Sequence, residues 1–559
     1  MTNLTTSRSI FEKVSGKKLS QDFIAKKKEF ERNKILDRLI AFYGLNIIIN
    51  DNELKNIPKD TPYIVIANHP HGEADDLILQ KIFESRAESF RIFGSLQDAI
   101  EPEKYLHAPG EENDLSRNEY ISAYEHINAG KCLGMFPSMG RSVLQLPNMN
   151  ISDKKWDISA LKFLHENRIT IVPVYIQANK NLINNGNLIQ KGKRTNGAKR
   201  EHGKNADVIV RIGSPISEHE IAAFDSANKM GRYCRAKVYC LGSALDVKNF
   251  FRVPQFIQKE AEGIIEPVDA ELIKNEMKFM NHRLCYTLQN YSIYIARAAE
   301  MPSIVKEIGR LRELTFREIG EGTNKSFDLD EYDLYYYHMF LWDNEKEQIA
   351  GAYRLGKGKE IFEVYGKKGF YTSTLFKFKN EFNAILAQTI ELGRSFVVKE
   401  YQNKRLPLFM LWKGIMYFIL MNPDHRYLLG PVSISNFYSH TSKSLIVSFI
   451  KKYHFDHKMA EYVKPKKKFK IKVKALDHES LLESAGENIY KMDKIISDIE
   501  PSNNTIPVLL KKYIKQNANI IGFNIDPKFN DALDGLMILD LNNAPEETLE
   551  TMKKDLNIG

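Results

Sequence analysis

Short apolar runs bounded by turn residues alternate with helical stretches from residue 61 onward, and the alternation occurs in two separate series. The first series of runs is Tyr63–Ala67, Arg91–Phe93, Leu133–Phe136, Ile169–Ile176 and Val208–Ile212. Helical candidates lie between them at Leu77–Glu84 and Ile158–His165. Runs too short for helices, separated by helices, predict a mostly parallel α/β sheet. This unit closes near Gly213-Ser214-Pro215-Ile216 and a following helix, around residue 245. The second series has strands at Gln348–Leu355, Ile390–Val398 and Tyr427–Ser433, with a helix from Leu406 to about Leu420. A helix near Pro507–Gln516 and strands at Asn519–Phe523 and Leu536–Leu539 complete it. Residues 246–300 are mainly polar and helical, punctuated by Pro254 and Pro267, and read as a connector. No repeat of fixed period runs through the chain.

A length of 559 residues accommodates two large units of this kind. Ordinary globular usage (43% apolar, 27% charged) excludes a disordered chain or a collagen. Only four cysteines occur (Cys132, Cys234, Cys240 and Cys285), with no C-x-x-C pair, so neither a zinc cage nor a disulfide framework is expected and a reducing compartment is the default. No window of about 18 apolar residues predicts a membrane span. The N-terminal stretch lacks the apolar centre of a signal peptide, which predicts a cytoplasmic protein. The net charge of +9 suits an acidic partner or an anionic membrane face, but gives no domain-wide basic stripe for nucleic acid. Phe23–Ile49 is helical in period, with Ile35, Leu36, Leu39, Ile40 and Tyr43 on one face. It is either a helix packed on its own domain or a basic amphipathic helix on a membrane surface.

The turn after the first strand reads Ala67-Asn68-His69-Pro70-His71-Gly72-Glu73-Ala74-Asp75-Asp76. His69 and Asp75 leave the strand six positions apart across a Pro/Gly turn, which can fold the carboxylate back onto the imidazole. A carboxylate on one ring nitrogen orients the ring and raises the basicity of the other, as needed to take a proton from a hydroxyl. His71 with Asp76 is a second register. The bland alternative is a solvated loop. A strand-to-turn element follows, Gly134-Met135-Phe136-Pro137-Ser138-Met139-Gly140-Arg141-Ser142, in which Arg141 can hold a phosphate or polarise a carbonyl. Ile171-Val172-Pro173-Val174 comes later.

Together these motifs resemble the glycerolipid O-acyltransferases, the lysophospholipid acyltransferase family, over about residues 40–245. The spacing N-H-P-x-G-x-x-D is similar to the branch found with hemolysin-like and amino-acid-lipid acyltransferases. The resemblance implies His69 as base, Asp75 as its orienting acid, and Asn68, Gly72 and Arg141 as substrate-binding residues. Ser138 stands where the family has glutamate, and the glycine comes late, at Gly140; an acceptor without phosphate explains both departures.

The second half carries Ile308–Arg317, then Asp328-Leu329-Asp330-Glu331-Tyr332-Asp333, Ile349–Leu355, Ile390–Val398 and Gly430–Ser435. Glu391 and Arg394 are three apart on or beside a strand, so they point to opposite faces or straddle a bulge. A carboxylate there can accept a proton from an amine attacking a thioester. Arg310, Arg312, Arg354 and Arg394 can bind a carboxylate or a pantetheine phosphate; the bland alternative is surface ion pairing. The series resembles the GNAT-fold N-acyltransferases near acyl-homoserine-lactone synthases, and especially the ornithine-lipid N-acyltransferases. That resemblance implies Glu391 as catalytic base and Arg310, Arg354 and Arg394 as substrate-binding residues. Where acetyl-CoA enzymes have a glycine-rich pyrophosphate loop, this chain has Gln402-Asn403-Lys404-Arg405-Leu406-Pro407, which favours an acyl chain delivered on acyl carrier protein. Seven of the eleven residues Lys464–Lys474 are lysine: a guarded edge strand, or a landing patch for acidic carrier protein or anionic lipid. The basic stretch Lys191–Lys204 reads as a loop.

The expectation is an α/β chain of two domains: a glycerolipid-acyltransferase-like domain at 1–245, a helical connector at 246–295, and a GNAT-like mixed α/β domain at 296–559. The implied function is bifunctional. One domain N-acylates ornithine or a similar amino acid with a 3-hydroxyacyl thioester, and the other O-acylates the 3-hydroxyl of that lyso-lipid. No metal and no permanently bound cofactor are implied, only an acyl thioester donor on acyl carrier protein or CoA. The site of action is the inner face of the bacterial cytoplasmic membrane. Rival readings are a glycerophospholipid acyltransferase with a regulatory GNAT-like half, and a non-catalytic, hemolysin-like membrane-surface binding protein.

Overall fold

The computed structural model describes residues 36–37, 40–41, 44–94, 105–107, 120–140, 142–145, 150–153, 155–178, 206–243, 245, 261–472, 477–500, 504–546, 550 and 554. Arg141, the Lys191–Lys204 stretch, and most of the Phe23–Ile49 segment lie outside them. Among the described residues no helix is long and apolar enough to cross a membrane. The chain forms two compact units. The first comprises Met1–Val247 with Lys474–Ala485 and Ser497–Asn503; the second comprises Lys248–Val473, Gly486–Ile496 and Asn504–Gly559.

In the first unit, strands β1 (Leu45–Ile48), β2 (Ile64–Ala67), β3 (Arg91–Gly94), β4 (Tyr105–His107), β5 (Leu133–Met135), β8 (Ile171–Ile176) and β9 (Ala206–Ile212) form one sheet in the order β1-β9-β8-β2-β5-β3-β4. Its pairings are parallel except β8 with β9. A separate antiparallel ribbon joins β6 (Val143–Gln145) to β7 (Asn150–Ser152). Strand β2 is buried throughout, which is why its sequence is a continuous apolar run rather than an alternating one. After β2 the chain adds β3, β4 and β5 on one side of it and then β8 and β9 on the other, so the crevice at the carboxyl end of β2 is a topological switch point.

Two expectations need correction. Leu45–Ile48, assigned by its period to the Phe23–Ile49 helix, is an edge strand parallel to β9. Gly44, at φ +63°, takes the left-handed conformation that ends a helix and lets the apolar Leu45-Asn46-Ile47-Ile48 extend. The Lys474–Ala485 and Ser497–Asn503 segments, expected in the second domain, group with the first. There Arg232 pairs with Asp477 at 2.6 Å, and the buried Lys237 pairs with Asp498. Asp498 also accepts from Ser214 N–H and Oγ. Buried charges need such partners, and these are distant in sequence.

The second unit is built on an eight-stranded sheet. Its strands are β10 (Leu284–Leu288), β11 (Tyr291–Arg297), β12 (Tyr337–Asp343), β13 (Gln348–Lys357), β15 (Thr389–Val397), β16 (Tyr427–Ile434), β18 (Asn519–Asp526) and β19 (Ala532–Asp540), in the order β10-β11-β12-β13-β15-β16-β19-β18. A small ribbon pairs β14 (Phe376–Phe378) with β17 (Val463–Pro465). Within the lysine run, then, Lys464 is part of a three-residue strand and Phe469 is buried. The helical connector is also corrected. A helix at Ala270–Lys278 is followed by the β10–β11 hairpin, which opens the second sheet. Its turn is Gln289-Asn290, with Gln289 at φ +54°, so the glycine that signals a tight hairpin in sequence is missing.

One irregularity places the chemistry of this unit. Strands β15 and β16 are parallel, and they pair over only three residues, Thr389–Glu391 against Tyr427–Leu429. Beyond Glu391 each continues with a different neighbour, β15 along β13 and β16 along β19. The sheet is therefore split immediately after Glu391.

Candidate active sites

His69 follows the carboxyl end of β2, and its backbone is clamped on both sides. Its N–H donates to Asp153 Oδ1 at 3.1 Å, and its carbonyl accepts from Ser142 N–H at 2.8 Å. Asp153 is itself buried and accepts from Ser142 Oγ at 2.5 Å and Trp156 Nε1 at 3.2 Å. The His69 ring packs on Phe136, with centroids 4.2 Å apart. Gly72, at φ +72°, turns the chain into the helix Glu73–Glu84, a conformation that costs a side-chain-bearing residue energy. One turn into that helix, Asp75 is fully buried and meets His69 Nδ1 at 3.3 Å through Oδ2. The six-residue spacing thus closes as expected.

The electrostatics follow the geometry. Burial disfavours protonated His69, but the Asp75 hydrogen bond and the Asp75, Asp76 and Asp153 carboxylates outweigh it and raise the ring above its ordinary 6.5. Burial would raise Asp75, yet His71 and His69 hold it below the usual carboxylate range. Asp75 thus stays ionised and His69 is the more exposed imidazole, at 14% against 1% for the His71 side chain.

Two site assignments change. The Asn68 amide is spent on the backbone: Nδ2 donates to Ile176 O at 2.8 Å and Oδ1 accepts from Ile176 N–H at 2.7 Å. It clips β2 to β8 and so positions His69 rather than binding substrate. The second register gains a different partner, since His71 hydrogen-bonds Asp75 through both its backbone N–H and its ring. Asp153, which sequence reasoning missed, sits 84 residues from His69. The only local signal is its place before Trp156.

In the second unit, Arg354 on β13 and Arg394 on β15 are brought together by Asp330. Arg354 Nη1 stands 2.5 Å from Asp330 Oδ1, and Arg394 Nη2 is 3.1 Å from Oδ2. Arg394 has φ +51° where the β13–β15 register shifts, so it belongs to a bulge. Its guanidinium lies over Tyr371 at 4.7 Å and Phe529 at 4.5 Å. Arg312, buried at the helix Pro302–Glu318, pairs with Asp328 at 2.8 Å and Asp333 at 3.0 Å, and Arg354 reaches Asp333 at 3.2 Å. Three arginines thus interlock with three aspartates. Burial would raise Asp333, but Arg312, Arg354 and His338 hold it down.

Arg310 does not join them. Two positions before Arg312, it faces the other way and forks onto Glu307, at 2.9 and 2.5 Å. The expected substrate-binding role passes to Arg312 only as an organiser of the aspartates. A sequence signal existed: Arg312 continues the buried stripe Ile304, Ile308, Arg312, Thr315, and an arginine in such a stripe requires carboxylates.

Glu391, the last paired residue of β15 before the split, is 1% exposed. It accepts from Tyr336 Oη, from Tyr371 N–H at 3.0 Å and from Thr372 N–H at 2.8 Å. Burial raises its carboxyl despite these donors, and raises the Tyr336 phenol well above 10. The carboxyl group is therefore enclosed behind Tyr336. Across the split, Glu321, Asp526 and Asp534 are buried near Arg394 and interact with one another. Burial lifts Glu321 to about 7 and Asp534 well above its ordinary value.

Residues 311–413 match the acetyltransferase (GNAT) domain family. Two glycine N(alpha)-acyltransferases are similar to this chain. That of Phocaeicola vulgatus is 32% identical over 302 residues, covering 51% of this chain and 91% of the relative. That of Bacteroides thetaiotaomicron is 33% identical over 305 residues, covering 52% and 88%. Among solved structures, the 1-acyl-sn-glycerophosphate acyltransferase PlsC of Thermotoga maritima aligns at 16% identity and a TM-score of 0.25, over 41% of this chain and 89% of that one. The acyl-homoserine-lactone synthase LasI aligns at 17% and 0.20, over 26% and 72%. The protein is an acyltransferase of mixed α/β fold with a GNAT domain in its second half. More particularly, the chain belongs to the N(alpha)-acyltransferase family of its two bacterial relatives.

Proposed function

We propose that the chain makes an amino-acid-containing lipid by two acyl transfers, one in each unit. The second unit transfers a 3-hydroxyacyl group from a thioester to the α-amine of an amino acid. Arg394, with Arg354 behind it, attracts the α-carboxylate, and the amine proton passes by way of Tyr336 to Glu391 as the thiolate leaves. The first unit then uses His69, held by Asp75, to deprotonate the new 3-hydroxyl for attack on a second acyl thioester. The observation that carries the reading is the presence of two proton-accepting constellations on one chain, a carboxylate-backed imidazole in one unit and a buried carboxylate beside clustered arginines in the other. The thioester donor is acyl carrier protein or CoA, and the acceptor surface is the membrane's inner face.

For the acceptor, sequence reasoning favours ornithine, while the names of the relatives favour glycine. Both present the same α-amine and α-carboxylate. Mass spectrometry of lipids from a host expressing the full chain tests the reading. A phosphorus-free lipid with two acyl chains is expected; its mass distinguishes glycine from ornithine, and only the ornithine product keeps a free amine that reacts with ninhydrin. His69→Ala should leave the singly acylated lyso-lipid to accumulate, and Glu391→Gln should leave neither form. Remodelled phospholipids alone would overturn the proposal.

A further inference from the structure

Asp75 serves two imidazoles. His71 grips it twice, with its backbone N–H donating to Oδ2 at 2.7 Å and its ring Nδ1 at 2.8 Å from Oδ1. The His71 side chain is 1% exposed and Asp75 is fully buried. His69 approaches the same carboxylate at 3.3 Å, on the oxygen that the His71 ring does not take. Because an ionised carboxylate only accepts, the His71 ring presents an N–H to Oδ1, and His69 Nδ1, 3.3 Å from Oδ2, faces the carboxylate favourably as an N–H. His69 is then left with Nε2 as its free base.

We infer that His71 is a positioning residue for His69: it fixes the Asp75 carboxylate so that Oδ2 aims at His69, and it withdraws part of that carboxylate's charge. This rests on the O-acyl transfer proposed for the first unit. The titratable groups that face His69 are Asp75 and Asp76 from the helix, Asp153 from the segment after β7, and His71 from its own turn. Without the His71 N–H, the whole charge of Asp75 falls on His69. A protonated His69 is then better stabilised, so the proton is lost only at higher pH.

The test uses the full chain with a synthetic 3-hydroxyacyl amino acid and an acyl thioester, comparing His71→Leu, which fills the volume without a donor, with His71→Asn, which restores one. Leucine should lower kcat/KM for O-acylation by roughly tenfold, as expected for a base held off its line of attack. It should also move the acidic limb of the pH profile upward by about one unit; asparagine should return both most of the way. An unmoved limb in the leucine variant, or an asparagine variant no better than leucine with both folded, overturns the inference. Nitrogen NMR of the unsubstituted chain decides independently of activity and of variant folding. A His71 ring protonated at Nδ1 near neutral pH supports the inference, and one protonated only at Nε2 refutes it. If the unsubstituted chain O-acylates nothing at any pH, the proposed function of this unit falls while the NMR result still stands.

Discussion

The sites of the two units solve the same problem, accepting a proton during acyl transfer, with opposite electrostatics. The first has one ionised carboxylate and an imidazole raised by it, partly open to solvent. The second has a carboxyl group raised by burial, closed over by a tyrosine, with three arginines and three aspartates locked beside it. An imidazole near its ordinary pKa can serve as a base in a semi-open site, because its neutral form is the working one. A carboxyl must instead be made basic by removing water, and the arginines that attract an anionic substrate must be neutralised by aspartates while they wait.

Breaking each site should expose this difference. The largest effect is expected from Glu391→Gln, which keeps the shape but removes the acceptor: N-acyl transfer should fall by about 10²–10⁴-fold, while O-acylation of supplied lyso-lipid persists, both read by mass spectrometry. Loss of both activities together would mean that Glu391 holds the fold and not the proton. Next is Arg312→Met, which removes one of the two arginines that pair with each of the buried Asp328 and Asp333. It should cost about 3–5 kcal/mol in denaturant unfolding.

The pH responses should also run in opposite directions. O-acyl transfer should rise with pH through a midpoint above 6.5, since His69 is raised and works when neutral; Asp75→Asn should lower that midpoint along with the rate. Glu321, raised to about 7, binds its proton more tightly in the folded than in the unfolded state. Its contribution is fully present below about 4.5 and is lost as pH rises toward 7. Glu321 should therefore account for a loss of up to about 3 kcal/mol in the second unit over that range, so Glu321→Gln should shrink the difference between urea melts at pH 5 and 8, the remainder coming from Asp526 and Asp534. The smallest effect is expected at the strand clip: Asn68→Ala should cost about 1–3 kcal/mol for the two orphaned Ile176 groups, and slow O-acylation through His69 displacement.

Much of this was legible in the residues. Both strand–helix series occur close to their expected places because continuous apolar runs report strands buried on both faces. The His69–Asp75 pairing was readable because both residues lie within one turn. The β10–β11 hairpin was hidden by a turn without glycine, and β1 by its merger with a helical pattern. Arg310 drew attention over Arg312 because both look alike in a linear sequence, and only their helical phase separates an ion pair on Glu307 from a buried link to Asp328 and Asp333.

The sequence by itself determined the local chemistry: which residues can accept a proton, and which turn presents them. Tertiary structure alone decided how that chemistry is shared. It gave Asp75 to two histidines, closed Tyr336 over Glu391, and brought Asp153 to His69 across 84 residues. The physical reason is that a pKa and an ion pair depend on desolvation and on distance in space, and neither is written in the order of the residues.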